Sequence, residues 1–176
     1  MRNYKQECIE KINERFGENA PYIIKAIDHE LDMFDYYLGM EKYKDQRFME
    51  WKISDVLSRA ERAHNGLLTP VTAKVGDGAT INLYTDRHAC TIVKVTKTTI
   101  TVRRDKAILN PNFRPEFIVG GFAAHCTNQD EQSYTYEPDE DGDLRTFHWS
   151  KKYNQYGTPS NLTLSRGRHE YYDYNF

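Results

Sequence analysis

Apolar positions in the first third of the chain recur at helical intervals. Tyr4, Cys8, Ile12 and Phe16 are spaced by four with Ile9 beside them, which predicts an amphipathic first helix ended by Gly17 in the left-handed conformation. A second stripe of Ile24, Ile27, Leu31, Phe34 and Leu38 alternates steps of three and four between Pro21, suited to a first helical turn, and Gly39. The third starts at Asp45, a good N-cap, and carries Met49, Ile53, Val56, Ala60 and Ala63 before His64, Asn65 and Gly66 stop it. Three helices of this kind can close a small bundle.

At residues 65–72, NGLLTPVT, the apolar period changes from 3.6 to 2 amid Gly, Pro and small polar residues. This separates a helical domain of residues 1–68 from a β domain of residues 73–176. Residues 91–96 and 99–103 are β-branched and alternating and predict a hairpin through Lys97 and Thr98, with Ile92 or Val93 toward the core. Residues 74–84 predict the strand before it, entered through the Gly-Asp-Gly turn at 76–78. Residues 106–128, with Asn110-Pro111, Arg114-Pro115 and Gly120-Gly121, read as a long insertion or loop. Residues 132–137 and 144–149 predict an antiparallel pair across the Asp-Gly turn in 138–143, and residues 161–165 a last strand before the tail. The fold class is α+β: an N-terminal three-helix segment followed by an antiparallel β domain. The strand order resembles that of small SH3-like barrels, an analogy of fold that carries no function by itself.

Composition narrows the class. Among 176 residues no run of about 18 uncharged apolar positions occurs, and the charged N-terminal segment lacks the apolar core of a signal peptide, so neither a membrane span nor export is expected. Three widely spaced cysteines, Cys8, Cys90 and Cys126, give neither a disulfide framework nor a metal knuckle, which fits a reducing cytoplasm. A net charge of -2 is too small for a generic DNA binder or for an acidic DNA mimic. Charge is instead segregated: residues 73–109 hold seven basic and three acidic side chains, residues 110–143 one and eight, and residues 144–176 five and two. Thirteen Tyr, eight Phe and two Trp in a chain of mean hydropathy -0.80 suggest an interaction surface.

Four clusters carry candidate chemistry. In the loop at Tyr84, Asp86, Arg87 and His88, Arg87 and His88 can engage a phosphate or carboxylate, with Asp86 orienting one of these two side chains; alternatively Asp86 caps the turn and Arg87 pairs with a carboxylate of the acidic block at 110–143. Arg103 and Arg104, near Lys94 and Lys97, offer a basic stripe, although strand alternation sends the two arginines to opposite faces. In the tail, Arg166, Arg168, His169 and Tyr171 suit stacking or a protein hot spot, whereas Tyr172 and Phe176 are expected to close the barrel edge as core residues. The turn around Asp139 and Asp141 fails as a calcium loop, because glycine stands at its fourth position and Ser150 at its twelfth; it reads as a hairpin tip whose acidity can address a basic partner. Helix three carries Arg47, Lys52, Arg59 and Arg62, but residues 1–72 hold eleven basic and thirteen acidic side chains, which argues against DNA binding there. No HExxH, GxSxG or Walker sequence occurs, so neither an enzyme nor a metal or cofactor site is expected.

The segments VGDGAT at 75–80, TDRHA at 85–89, TVRRDKA at 101–107, QSYTYEP at 132–138 and GRHEYYDYNF at 167–176 resemble a group of small proteins from phages and mobile elements of Gram-positive bacteria. The resemblance covers about the last hundred residues and implies genetic context more than chemistry. That context implies a counter-defence protein in the cytoplasm of a bacterial host. Such a protein would be a stoichiometric inhibitor, of the anti-CRISPR kind, of a defence effector such as a Cas nuclease with its guide RNA. Its acidic block would address a basic nucleic-acid channel. Two alternatives stand beside it: a nucleic-acid-binding module using Arg87, Arg103, Arg104, Arg166 and Arg168, and a protein that sequesters a nucleotide signal at Arg87 and His88.

Overall fold

The computed structural model describes residues 2–40, 43, 45–120 and 123–176, so Gly121 of the expected Gly-Gly break lies outside the described residues. The chain divides into two compact units, Met1–Thr72 and Ala73–Phe176.

In the first unit, α1 (Tyr4–Phe16) is capped by Asn3, whose side chain accepts the Gln6 N–H, and ends at Gly17 with φ 51°. The helix expected from Pro21 to Leu38 is broken. Helix α2 (Ala20–Ala26) and helix α3 (Asp28–Leu38) meet at Ile27, with φ -124° and ψ 24°. At the break the Asp28 carboxylate accepts the His29 N–H at 2.7 Å, a local bond that competes with the helical ladder. Helix α4 (Gln46–Gly66) starts at the Asp45 cap and buries Met49, Ile53, Val56 and Ala60 on one face. These side chains pack with Cys8, Ile12, Ile23, Leu31 and Phe34 into one apolar core. The chain leaving α4 is fastened by a buried polar contact. Thr69 Oγ1 donates to Asn19 Oδ1 at 2.7 Å, and Asn19 Nδ2 lies 3.0 Å from His64 Nδ1.

The second unit is built on a closed six-stranded antiparallel barrel. Its strands are β1 (Gly78–Asn82), β2 (Arg87–Val95), β3 (Thr99–Arg104), β8 (Leu144–Ser150), β9 (Gln155–Gly157) and β10 (Thr163–Arg166), in the order β1-β10-β9-β8-β3-β2. Alternation places Ile81, Ile92, Ile100, Val102, Phe147, Tyr156 and Leu164 inside, and closure leaves no free edge for the terminal aromatics to cover. Tyr172 and Phe176 are accordingly exposed instead of joining the core.

Within the span 106–128, expected to be a long insertion or loop, three segments form strands. Strand β4 (Lys106–Leu109) pairs with β7 (Tyr134–Glu137), and β5 (Phe117–Gly120) pairs with β6 (Ala123–Cys126). The expected hairpin between residues 132–137 and 144–149 does not form, because β7 takes β4 as partner and β8 takes β3. The acidic turn between them folds onto the end of β3, where Arg104 N–H donates to the Asp143 carbonyl at 3.0 Å. A Cβ at Gly142 would overlap the Arg104 carbonyl oxygen, so this approach requires glycine.

Candidate protein-binding surface

The loop joining β1 to β2 is shaped by its own arginine. Arg87 Nη1 donates to the carbonyls of Asp86 at 2.8 Å, Leu83 at 3.2 Å and Thr85 at 3.5 Å, and the Arg87 backbone exchanges a pair of hydrogen bonds with Tyr171 of the tail. The Asp86 carboxylate accepts the Asp173 N–H at 2.9 Å. His88 beside them is held below the usual histidine pKa, chiefly by burial and then by the Arg104 charge.

Two further tail fastenings are ion pairs. Arg104 donates to the carbonyls of Ala89 and Asp105 and, at 2.5 Å, to Glu170, whose second oxygen accepts the Ala89 N–H. Asp105 is buried and accepts from Thr91 and from Arg168 Nε, each at 2.7 Å. Gly78 lies against the Arg168 side chain, where a Cβ would clash. Arg87, Arg104 and Arg168 are thus ligands of the protein's own carbonyls and carboxylates. The remaining candidates lie apart. Among the described residues Arg103 Nε is buried without a hydrogen-bond partner, Arg166 is exposed on β10, and His169 stacks near Tyr171 at 6.5 Å. Asp139 accepts the Asp141 N–H at the tip of the acidic turn.

Three carboxamides absent from the sequence-based set continue the attachment. Gln132 receives the Tyr172 N–H and donates to its carbonyl, both at 2.9 Å, and Tyr134 hydrogen-bonds to Gln132 in turn. Burial pushes the Tyr134 phenol up to about 12, so it stays a donor at neutral pH. Gln129 accepts the Tyr174 N–H, and Asn175 pairs with the backbone of Cys126. Ordering each tail residue costs about 1–2 kcal/mol in backbone entropy, and these polar contacts offset it at about 0.5–1.5 kcal/mol each.

The consequence is a set of exposed rings held in place. Tyr84, 90% exposed, lies 5.8 Å from the ring of Phe176, 87% exposed, and Tyr172 and Tyr174 meet edge to face at 4.9 Å. Tyr174 continues to Phe113 at 6.1 Å and Phe117 at 6.3 Å, which ties the tail to the base of the β5–β6 hairpin. Among the described residues that hairpin has no further strand partner, and Phe117, Ile118 and Val119 are exposed, Val119 fully. A two-stranded ribbon in water is marginal alone, and contiguous exposed apolar surface of this sort marks interaction sites. Comparison adds no relative: no family model, curated protein or solved structure matches the chain. The three hairpin residues escaped sequence reasoning because two prolines and a Gly-Gly pair flank a run of only three apolar residues, Phe117, Ile118 and Val119. Among the described residues no helix is long and apolar enough to cross a membrane.

Proposed function

We propose that the chain works by stoichiometric protein–protein binding, without turning over a substrate, through the β5–β6 hairpin and the aromatic tail beside it. The exposed apolar hairpin carries this reading, because its strands present Phe117, Ile118 and Val119 to solvent. Tyrosine and phenylalanine rings held rigid by polar contacts suit interface anchors, since little side-chain freedom is lost on docking. The internal engagement of Arg87, Arg104 and Arg168 favours a partner gripped by rings over one gripped by its phosphates.

Charge indicates the kind of partner. Residues 110–143 carry eight acidic side chains against one basic, and Glu131, Glu140, Asp141 and Asp143 are exposed, so the complement is a basic surface. A nucleic-acid channel of a bacterial defence effector such as a guide-loaded Cas nuclease has that character, in keeping with the counter-defence role implied by the sequence resemblance.

The test is titration of the purified chain into guide-loaded Cas nucleases cleaving target DNA, with a Val119→Asp variant in parallel. Inhibition saturating near one chain per effector and lost in the variant is expected. Undiminished cleavage throughout, with retention on host lysate abolished by nuclease treatment, overturns the reading in favour of direct nucleic-acid binding.

A further inference from the structure

The exposed hairpin belongs to a longer ribbon whose two edges differ. Residues 110–116 and 127–133 separate the β4–β7 ladder from the β5–β6 ladder by the same length on each strand, so the two ladders form one interrupted hairpin. The tail seals one edge of it, from Tyr172 to Gln132, from Tyr174 to Gln129 and from Asn175 to Cys126.

The opposite edge, along β5, is open. Thr127 N–H donates to the Glu116 carbonyl at 2.9 Å, which makes Glu116 and Thr127 a hydrogen-bonded pair. Alternation then turns the N–H and C=O of Ile118 and Gly120 toward β6 and those of Phe117 and Val119 outward. Cys126, opposite Phe117, agrees: its own N–H and C=O turn away from β5, to Asn175. Among the described residues the outward groups of Phe117 and Val119 have no hydrogen-bond partner. Pro115, next in the same outward phase, has no N–H, so the open donors end there. An unpaired edge of this kind is a template for an added strand.

The side chains select which strand. Phe117, Ile118 and Val119 are exposed and residues 117–120 carry no charge, so a basic strand finds no carboxylate among them. A second β5 needs none. Set antiparallel about a two-fold axis at Ile118, Phe117 of each copy falls opposite Val119 of the other, and these outward residues exchange four hydrogen bonds. Aromatic and β-branched residues make favourable cross-strand pairs, Ile118 meets itself on the other face, and Glu116 falls opposite Gly120, so no like charges oppose. Val119, fully exposed in the single chain, comes to lie beside the other copy's Phe117, whose ring is 6.3 Å from Tyr174. Two marginal ribbons become one four-stranded sheet.

We infer that the chain associates with a second copy of itself through an antiparallel β5–β5 seam centred on Ile118. Strands of four residues bury little surface, so the dimer is reversible. The inference needs no effector and is independent of the proposed function, so either fails alone. The experiment measures the mass of the full chain by light scattering from about 1 μM to about 1 mM, where a rise from one chain to two is expected. Val119→Pro removes an outward N–H but no bond to β6, and is expected to remain a single chain at every concentration. Two cysteine variants test the register, the native thiols being buried. Ile118→Cys sets two thiols on a directly opposed pair with Cα atoms about 4.5 Å apart, and is expected to form a covalent dimer under a mild thiol oxidant. In Val119→Cys the thiols stand diagonally, about 7–8 Å apart at Cβ, and no such dimer is expected. A mass of one chain throughout, an undiminished dimer in Val119→Pro, or equal cross-linking of the two cysteine variants overturns the inference. A chain that stays single, with the Phe117 and Val119 amides protected from exchange only when effector is added, also overturns it and gives the edge to the effector.

Discussion

Asn175 and Cys126 exchange the two hydrogen bonds of a β-bridge although one partner is a side chain. Asn175 Oδ1 accepts the Cys126 N–H at 2.6 Å, and Asn175 Nδ2 donates to the Cys126 carbonyl at 3.1 Å. A carboxamide presents a donor and an acceptor with the spacing of a peptide unit, so it can finish a strand that has no further neighbour. Asn175→Asp keeps the acceptor and replaces the donor with a carboxylate oxygen facing a carbonyl. Hydrogen exchange of the 123–126 amides is expected to quicken about tenfold in that variant, in line with one lost bond plus repulsion. Unchanged exchange would show that the tail does not hold the hairpin.

Asp105 has the deeper role in the same attachment. The residue is 3% exposed, and its carboxylate accepts from Arg168 and Thr91. Asp105→Ala leaves both donors facing a void, and removing one partner of a buried pair costs about 3–5 kcal/mol. Because Arg168 is partly exposed and can reach water, the lower end applies, measured as the urea midpoint of the second unit. Exchange across residues 167–176 is expected to rise in the same variant, and a stable variant with a protected tail would contradict the ion-pair account.

Local patterns were the legible part of this chain. The Asp45 cap, the Gly17 stop and the alternation of Ile100 and Val102 each require only near neighbours in sequence to be read, and the barrel class follows from such patterns. Pairing between distant segments was not legible, since β4 finds β7 about 25 residues onward and neither strand exceeds four residues. The candidate arginines were found, but their geometry was not. A guanidinium in a loop suits an outside phosphate and a neighbouring carbonyl equally well until the tail is placed, and only then does Arg87 close on Asp86, Leu83 and Thr85. Gln129, Gln132 and Asn175 gave no signal, because carboxamides occur everywhere on surfaces.

The change of partner between β7 and β8 depends on the acidic turn reaching Arg104. A methyl group at Gly142 would collide with the Arg104 carbonyl, and backbone cannot yield as a flexible side chain can. Gly142→Ala is therefore expected to lower the stability of the second unit by about 1–3 kcal/mol, seen as a lower thermal midpoint. Asp141→Ala, at an exposed neighbouring position, is expected to stay within about 0.5 kcal/mol.

Histidine 88 makes the second unit acid-sensitive. Its pKa is depressed first by burial and then by the Arg104 charge, partly opposed by Glu170 and Asp86, with a still smaller lowering by Arg145. A group whose folded pKa is lowered stabilises the fold above its unfolded pKa, near 6.5, and that stability is lost as the pH falls through the folded value. Trp149 reports this unit once Trp51 is replaced by Phe. Its denaturation midpoint is expected to drop between pH 7 and pH 5, and a His88→Gln chain should show a shallower drop; identical slopes would remove His88 as the cause.

At alkaline pH the buried thiols set the opposite limit. Burial pushes Cys8 up to about 11 and Cys90 up to about 12, from an ordinary value near 9. The native state thus keeps protons that the unfolded chain has already released. Stability is full below pH 9 and falls as the pH rises toward 11 in the helical unit and 12 in the β unit, by at most about 1.4 kcal/mol per pH unit for each thiol. The same protonation suppresses thiolate chemistry, so both cysteines are expected to resist a disulfide reagent at pH 8 until urea unfolds their unit. Cys90→Ala should flatten the alkaline slope of the β unit while leaving that of the helical unit unchanged, because Cys8 packs in a separate core. Rapid labelling of Cys90 in the folded chain, or a slope unaffected by the substitution, would mean that its burial is not maintained in solution.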